Sequence, residues 1–165
     1  MYRWSNTKKL IITSNYQIVD VTMELTYDDI QNILDAGCGD QYYRTTFNPF
    51  FVVTTCVYEF FNKCKAFWLG DLINSYIPKI YKEMTTFDDR FFIVNLDVLD
   101  DFRKGKIEIQ REVYIEETEQ TTYHNVIKQN IQFINLPKGR YKFFLIGEFT
   151  TSQQYRFVML SPSEY

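Results

Sequence analysis

The chain has 165 residues, 45% of them hydrophobic and 24% charged, and a formal net charge of −3. That length suits one domain, able to bury roughly 70% of its unfolded surface without disulfides or metal. The weak negative charge excludes a bulk electrostatic attraction to nucleic acid or anionic membrane.

Cys38, Cys56 and Cys64 are odd in number and wrongly spaced for a zinc cage, so a reducing compartment is the simpler reading. No apolar run approaches the roughly 20 residues of a membrane span. Leu10-Ile-Ile is far short of a signal-peptide core, so a cytoplasmic location is expected. The 15 Phe, 13 Tyr and 2 Trp fit an AT-rich coding bias and an aromatic core, although rings also suit a binding surface.

In chain order, residues 1–24 read as an extended arm or as added short strands at Leu10-Ile-Ile-Thr and Tyr16–Val21. Thr26-Tyr-Asp-Asp29 has the form of a capping box, and Ile30, Ile33 and Leu34 form an apolar stripe. A helix over about 27–36 follows, with Gly37 as its stop. Asn48-Pro49 marks a turn into the strand-like Phe50-Phe-Val-Val-Thr. Thr54 or Thr55 can cap the next helix, where Val57, Phe60, Phe61 and Cys64 have helical spacing. A break near Lys63–Lys65 then leads to a second helix, which Pro78 should end or restart.

From Arg90 the period becomes that of a strand. Phe92, Val94, Leu96 and Val98 share one face, and Phe91, Ile93, Asn95 and Asp97 the other. Turns are expected at Arg103–Lys106, Pro137–Gly139 and Thr151–Gln154, and a polar loop at Glu116–Thr122 before a strand over Val126–Leu136 with Ile127, Gln129, Ile131 and Phe133 on one face. The expectation is therefore a single α+β domain: an antiparallel β-meander of about five strands, with two or three helices packed on one face. The Phe doublets put rings on both faces, so the face without helices needs the arm, a second subunit or a partner to cover it.

No motif specifies a reaction. His124 is the single histidine, and the pairs Asp88-Asp89, Asp100-Asp101 and Glu116-Glu117 read as solvated turn charge. There is no calcium loop or glycine-rich phosphate loop. The chain reads as a non-enzyme with no cofactor and no metal. Lys138-Gly-Arg-Tyr-Lys-Phe-Phe144 interleaves bases and rings like a nucleic-acid-stacking strand, with Tyr141 and Phe143 as the stacking pair. The acidic stretch from Asp97 to Glu119 disfavours that role.

Several residues occur in a telling order: Tyr42-Tyr-Arg44, Thr54 with Val57, Ala66-Phe-Trp-Leu-Gly-Asp71 with Ile73 and Ser75, Gln129-x-Ile131-x-Phe133 with Leu136-Pro137, and Pro162-Ser-Glu-Tyr165. Over about residues 40–165 this resembles a domain family of unknown function from bacteria, phages and other mobile elements. Thr55 stands where that family has Asp, and Ser161 interrupts its closing L-P-S-E-Y. The resemblance brings no activity. It implies Tyr42, Tyr43, Arg44, Trp68, Asp71, Ser75, Glu164 and Tyr165 as candidate binding residues, with Arg44 pairing Asp71 or Glu164. The expected function is that of a mobile-element accessory protein binding another protein, such as a host or defence factor or a second copy of itself. A virion or assembly component and a single-strand-binding module are the alternatives.

Overall fold

A computed structural model describes residues 9–12, 18–21, 24–37, 41–84, 90–150 and 155–165, the first two stretches as backbone only. β1 (Lys9–Ile12) and β2 (Ile18–Val21) pair antiparallel as a two-stranded sheet of their own. The rest of the expected arm at 1–24, apart from Glu24, lies outside the described residues, as do Cys38, Asp88-Asp89 and the expected turn at 151–154.

α1 (Tyr27–Leu34) starts where the capping box requires. The Thr26 hydroxyl accepts from the Asp29 N–H at 3.2 Å, and the Asp29 carboxylate accepts from the Thr26 N–H at 2.9 Å. The Thr26 hydroxyl, which also donates to the Asp29 carboxylate at 2.7 Å, and the Thr26 N–H together hold that carboxyl below its ordinary range. Ile30 and Leu34 carry the buried side of the helix.

β3 (Tyr42–Tyr43) and β4 (Phe51–Thr54) lead into α2 (Thr55–Cys64). Lys65, in the left-handed region at φ 55°, turns the chain into α3 (Phe67–Lys82), so the expected break falls where the sequence placed it. Pro78 does not end α3. A proline inside a helix removes one hydrogen bond and crowds the carbonyl four residues back. Here Ile80, fully buried, and Tyr81, edge-on to Tyr155, hold the last turn in place regardless.

Five long strands follow: β5 (Phe91–Asp100), β6 (Lys104–Ile115), β7 (Gln120–Ile131), β8 (Gly139–Phe149) and β9 (Tyr155–Leu160). They are not a sequential antiparallel meander. Among the described residues the sheet has seven strands in the order β3-β4-β9-β8-β5-β6-β7, and the β4–β9 pair is parallel. After β7 the chain returns to lay β8 beside β5, which makes β8-β5-β6-β7 a Greek key.

Contacts that no periodicity encodes hold this return. The segment 132–138 crosses the end of the β5–β6 hairpin, where the Phe102 N–H donates to the Leu136 carbonyl and the Ile134 N–H to that of Arg103. The hairpin turn consequently lies at Asp101–Arg103, earlier than expected, with Phe102 at φ 56° and Lys104 already in strand. Gly105 permits the crossing. A Cβ there would sit 2.3 Å from Ile134 Cδ1 and 2.6 Å from the Asp97 carbonyl.

One face of the sheet is the core. Phe51, Val53, Phe92, Val94, Leu96, Tyr141, Phe143, Leu145, Phe157 and Met159 meet Ile30, Val57, Phe60, Phe61, Leu69 and Ile73 from the helices. The three helices therefore lie on one side, as the alternation implied. β7 reaches this core despite its polar composition. A register shift between Ile109 and Gln110 leaves Val126 as an extra residue, so Val126 and Ile127 are both buried.

Candidate functional site on the outer face of the sheet

The face away from the helices is divided by composition. On β4, β9, β8 and the start of β5 it presents Val52, Val158, Leu160, Phe144, Ile146, Phe91 and Ile93, joined across the strands as Val52–Val158–Ile146–Phe91 and Leu160–Phe144–Ile93. On the remainder of β5, on β6 and β7, and at Arg140 on the start of β8 it presents a charged lattice. Arg140 grips Asp97 at 2.6 Å, and Glu108 meets Lys106 at 3.3 Å and Lys128 at 3.2 Å. Above these, the Asn95, Gln110 and Asn125 amides form a chain across three strands.

Tyr165 joins the apolar half from the chain end. Its ring lies 5.3 Å from Phe91 and 5.4 Å from Phe144, themselves 4.9 Å apart, while 77% of the residue is exposed. Two cations border the rings: Lys142 lies over Phe144 at 5.1 Å and Arg156 over the exposed Tyr42 ring at 4.7 Å. Arg156 is also held by Glu148.

The chain end is fixed by Glu164. Ser161, Pro162 and Glu164 open a short 3₁₀ turn with its own capping box, Pro162 sitting at the first positions that favour proline. The Glu164 carboxylate accepts from the Ser161 N–H and from the Cys56 N–H, each at 3.1 Å, and from the Thr54 hydroxyl. It thus caps α2 from 108 positions away in sequence. Thr54 occupies the N-cap position, but its side chain makes no cap bond. A carboxylate at a helix N-terminus satisfies an orphan N–H and complements the helix dipole. Ser163 donates to the Leu34 carbonyl at 2.5 Å and ties the same turn to the end of α1.

The eight candidate residues do not converge. Tyr42 and Tyr165 reach the outer face, and Glu164 lies beneath Tyr165 as its anchor. Tyr43 stacks on Tyr58 at 4.3 Å beside α2. Trp68 donates from Nε1 to Asn135 at 2.6 Å, and Asn135 in turn donates to the Cys64 carbonyl at 2.8 Å, so Trp68 locks the crossing segment to the helix pair. Ser75 is exposed and bonds back to the Leu72 carbonyl at 2.6 Å. Arg44 and Asp71 are exposed. Among the described residues Arg44 pairs with neither Asp71 nor Glu164, because the helix cap already takes the Glu164 carboxylate.

Other chemistry is spread apart. His124 is exposed on β7, while Cys56 and Cys64 are buried on α2. Burial pushes the Cys64 thiol up to about 12, far from a reactive thiolate. The concavity between Leu25, Ile30, Cys64, Phe102, Asn135, Leu136 and Pro137 has a volume of only about 10 Å³. That is below the roughly 300 Å³ at which small-molecule sites begin. Among the described residues, no group of three or more His, Cys, Asp or Glu could hold a metal. No helix among them is long and apolar enough to cross a membrane.

Comparison with protein families settles one question. The chain belongs to a family of unknown function, DUF6876. That family's model matches residues 28–165, which spans α1 to the C-terminal tyrosine and leaves the β1–β2 hairpin outside it. No curated protein and no solved structure matches the chain.

Sequence reasoning missed Val52, Leu160, Arg156 and Asn135. Val52 and Leu160 could have been found from the alternation of β4 and β9 once those strands were known to be neighbours. The role of Asn135 carries no sequence signal, because it depends on where the crossing segment meets α2.

Proposed function

We propose that this DUF6876 member is a protein-binding module rather than an enzyme, and that the apolar half of its outer face is the contact surface. The observation that carries this reading is the Phe91–Phe144–Tyr165 ring cluster, on the side of the sheet that no described helix covers. Aromatic residues flanked by cations are the composition of binding hot spots, since they combine large contact area with low entropy cost. Val52, Val158 and Leu160 are a buried layer against which Phe144 and Ile146 pack, and Tyr42 with Arg156 forms the rim of the surface. The resemblance to bacterial, phage and mobile-element proteins supports an accessory role directed at a host or defence factor.

The single-strand-binding alternative loses its stacking pair. Tyr141 and Phe143 are fully buried against Phe60, so neither ring can receive a base.

The test is a paired capture from the native host with the wild-type chain and with a Phe144→Glu/Tyr165→Ala variant, read by quantitative mass spectrometry. Equal thermal melts would establish that both are folded. Proteins held by the wild type and lost from the variant are the expected outcome. Identical captured sets would show that this face is not the contact surface.

A further inference from the structure

The two edges of the seven-stranded sheet are built differently. β3 ends one side after 2 residues, which blunts that edge. β7 ends the other with 12 residues, Gln120 to Ile131, and among the described residues it pairs only with β6. The β5–β6 register stops at Phe92 opposite Arg111. Beyond it, Glu112–Ile115 and Gln120–Tyr123 continue as a two-stranded ribbon whose β7 side chains are exposed. β7 contains neither proline nor glycine, and five of its 12 residues are the β-branched Thr121, Thr122, Val126, Ile127 and Ile131. A strand of this composition leaves its outward N–H and C=O groups ready to pair.

The charge along this edge is arranged head to tail. Glu116, Glu117 and Glu119 crowd the turn at one end, and Lys128 lies toward the other, 63% exposed at its side chain even while it meets Glu108. Such a strand is complementary to itself in the antiparallel sense. Two copies meeting through a two-fold axis bring each lysine to the other copy's acidic turn. A parallel approach would bring acid to acid.

We infer that β7 is a homodimerisation edge, pairing antiparallel with β7 of a second copy about a two-fold axis near Tyr123. In that register the exposed Tyr123 rings meet across the axis, Asn125 faces Thr121, and Lys128 reaches the turn at Glu117–Glu119. The two sheets then run on as one. Tyr123 supplies apolar contact at the centre, and the two lysine–carboxylate contacts fix register and direction. This edge is separate from the apolar half of the outer face, so the dimer leaves that surface open on both copies.

The experiment uses the full chain and sedimentation equilibrium across a wide concentration range. The expected result is a mass that rises from one chain to two. Lys128→Glu and Glu119→Lys should each weaken the dimer by roughly tenfold, since two exposed ion pairs of up to about 1 kcal/mol are lost per dimer. The Lys128→Glu/Glu119→Lys combination should return affinity to near the wild-type value. Both positions are exposed, and circular dichroism would establish that each variant is folded. Tyr123→Cys should give a doubled chain under mild oxidation that reductant reverses. A single-chain mass at every concentration would overturn the inference. So would single-variant losses that add in the double variant instead of cancelling, which would point to another pairing partner or register.

Discussion

The two halves of the outer face share one backbone ladder but are held by different physics. The apolar half on β4, β9 and β8 is a packed layer: Val52, Val158 and Leu160 are only 8%, 5% and 6% exposed. The charged half on β5, β6 and β7 is a network of ion pairs and amides around Asp97 and Glu108. Each half also has its own distant anchor. Glu164 fixes the chain end beside the first, and the crossing segment with Gly105 fixes the second. Side-chain burial therefore sets how much each half contributes to stability, whereas the anchors set whether it forms.

Breaking an anchor should have the largest effect. Gly105→Val drives a branched side chain into Ile134 and the Asp97 carbonyl, and should cost about 3 kcal/mol by overpacking, measured by urea denaturation. The charged half should then lose hydrogen-exchange protection before the apolar half does. Glu164→Ala leaves the Cys56 N–H and the Thr54 hydroxyl without their charged acceptor, and should cost about 2 kcal/mol by the same measurement. Here the apolar half should lose protection first.

Changes within each half should be smaller and differ in salt dependence. Val158→Ala removes buried methyl carbon and should cost about 1.5 kcal/mol, unchanged by added salt. Glu108→Gln should cost less than about 1 kcal/mol at low ionic strength, shrinking further in high salt. Equal salt dependence for the two variants would erase the distinction between the halves.

Acid and alkali should separate the charged half of the outer face from the core behind the sheet. Burial pushes Glu108 up, but hydrogen bonds from Lys128 and Lys106, and their charge, outweigh it and hold its carboxyl below the ordinary 4.5. A group depressed on folding stabilises the fold above its unfolded value, so this contribution is lost as pH falls below about 4.5. Burial pushes Tyr155, on the helix-facing side of β9 against Tyr81 and Met84, up from 10.0 to about 12. A group raised on folding stabilises below its unfolded value, so stability on that side falls as pH rises above 10 toward 12. Melting temperatures across pH should show a plateau with shoulders in these two windows, and Glu108→Gln should soften the acid shoulder alone.

Local signals were legible in the chain. The capping box at Thr26, the helix break at Lys65 and the alternation that buries Phe92, Val94, Leu96 and Val98 all rest on contacts a few residues apart, or on a period a strand imposes on itself. The Phe143-Phe144 doublet announced two apolar faces for the same reason. Of the candidate site, only Tyr42 and Tyr165 reached the outer face, because a shared motif marks what a fold needs without saying whether the need is a cap, a lock or a contact.

The sequence by itself determined α1, the break between α2 and α3, the alternation of β5 and β8 and the α+β class. It did not determine the bounds of β7, which begins at Gln120 and ends at Ile131 where the alternation implies a strand over Val126–Leu136. Only the tertiary structure decided the order of the strands, the parallel β4–β9 pair, the passage of α3 through Pro78 and the role of Glu164. The physical reason is range. Propensity, capping and alternation act within one element, whereas strand order and the α2 cap depend on groups far apart in sequence that meet only after the sheet has closed around its core.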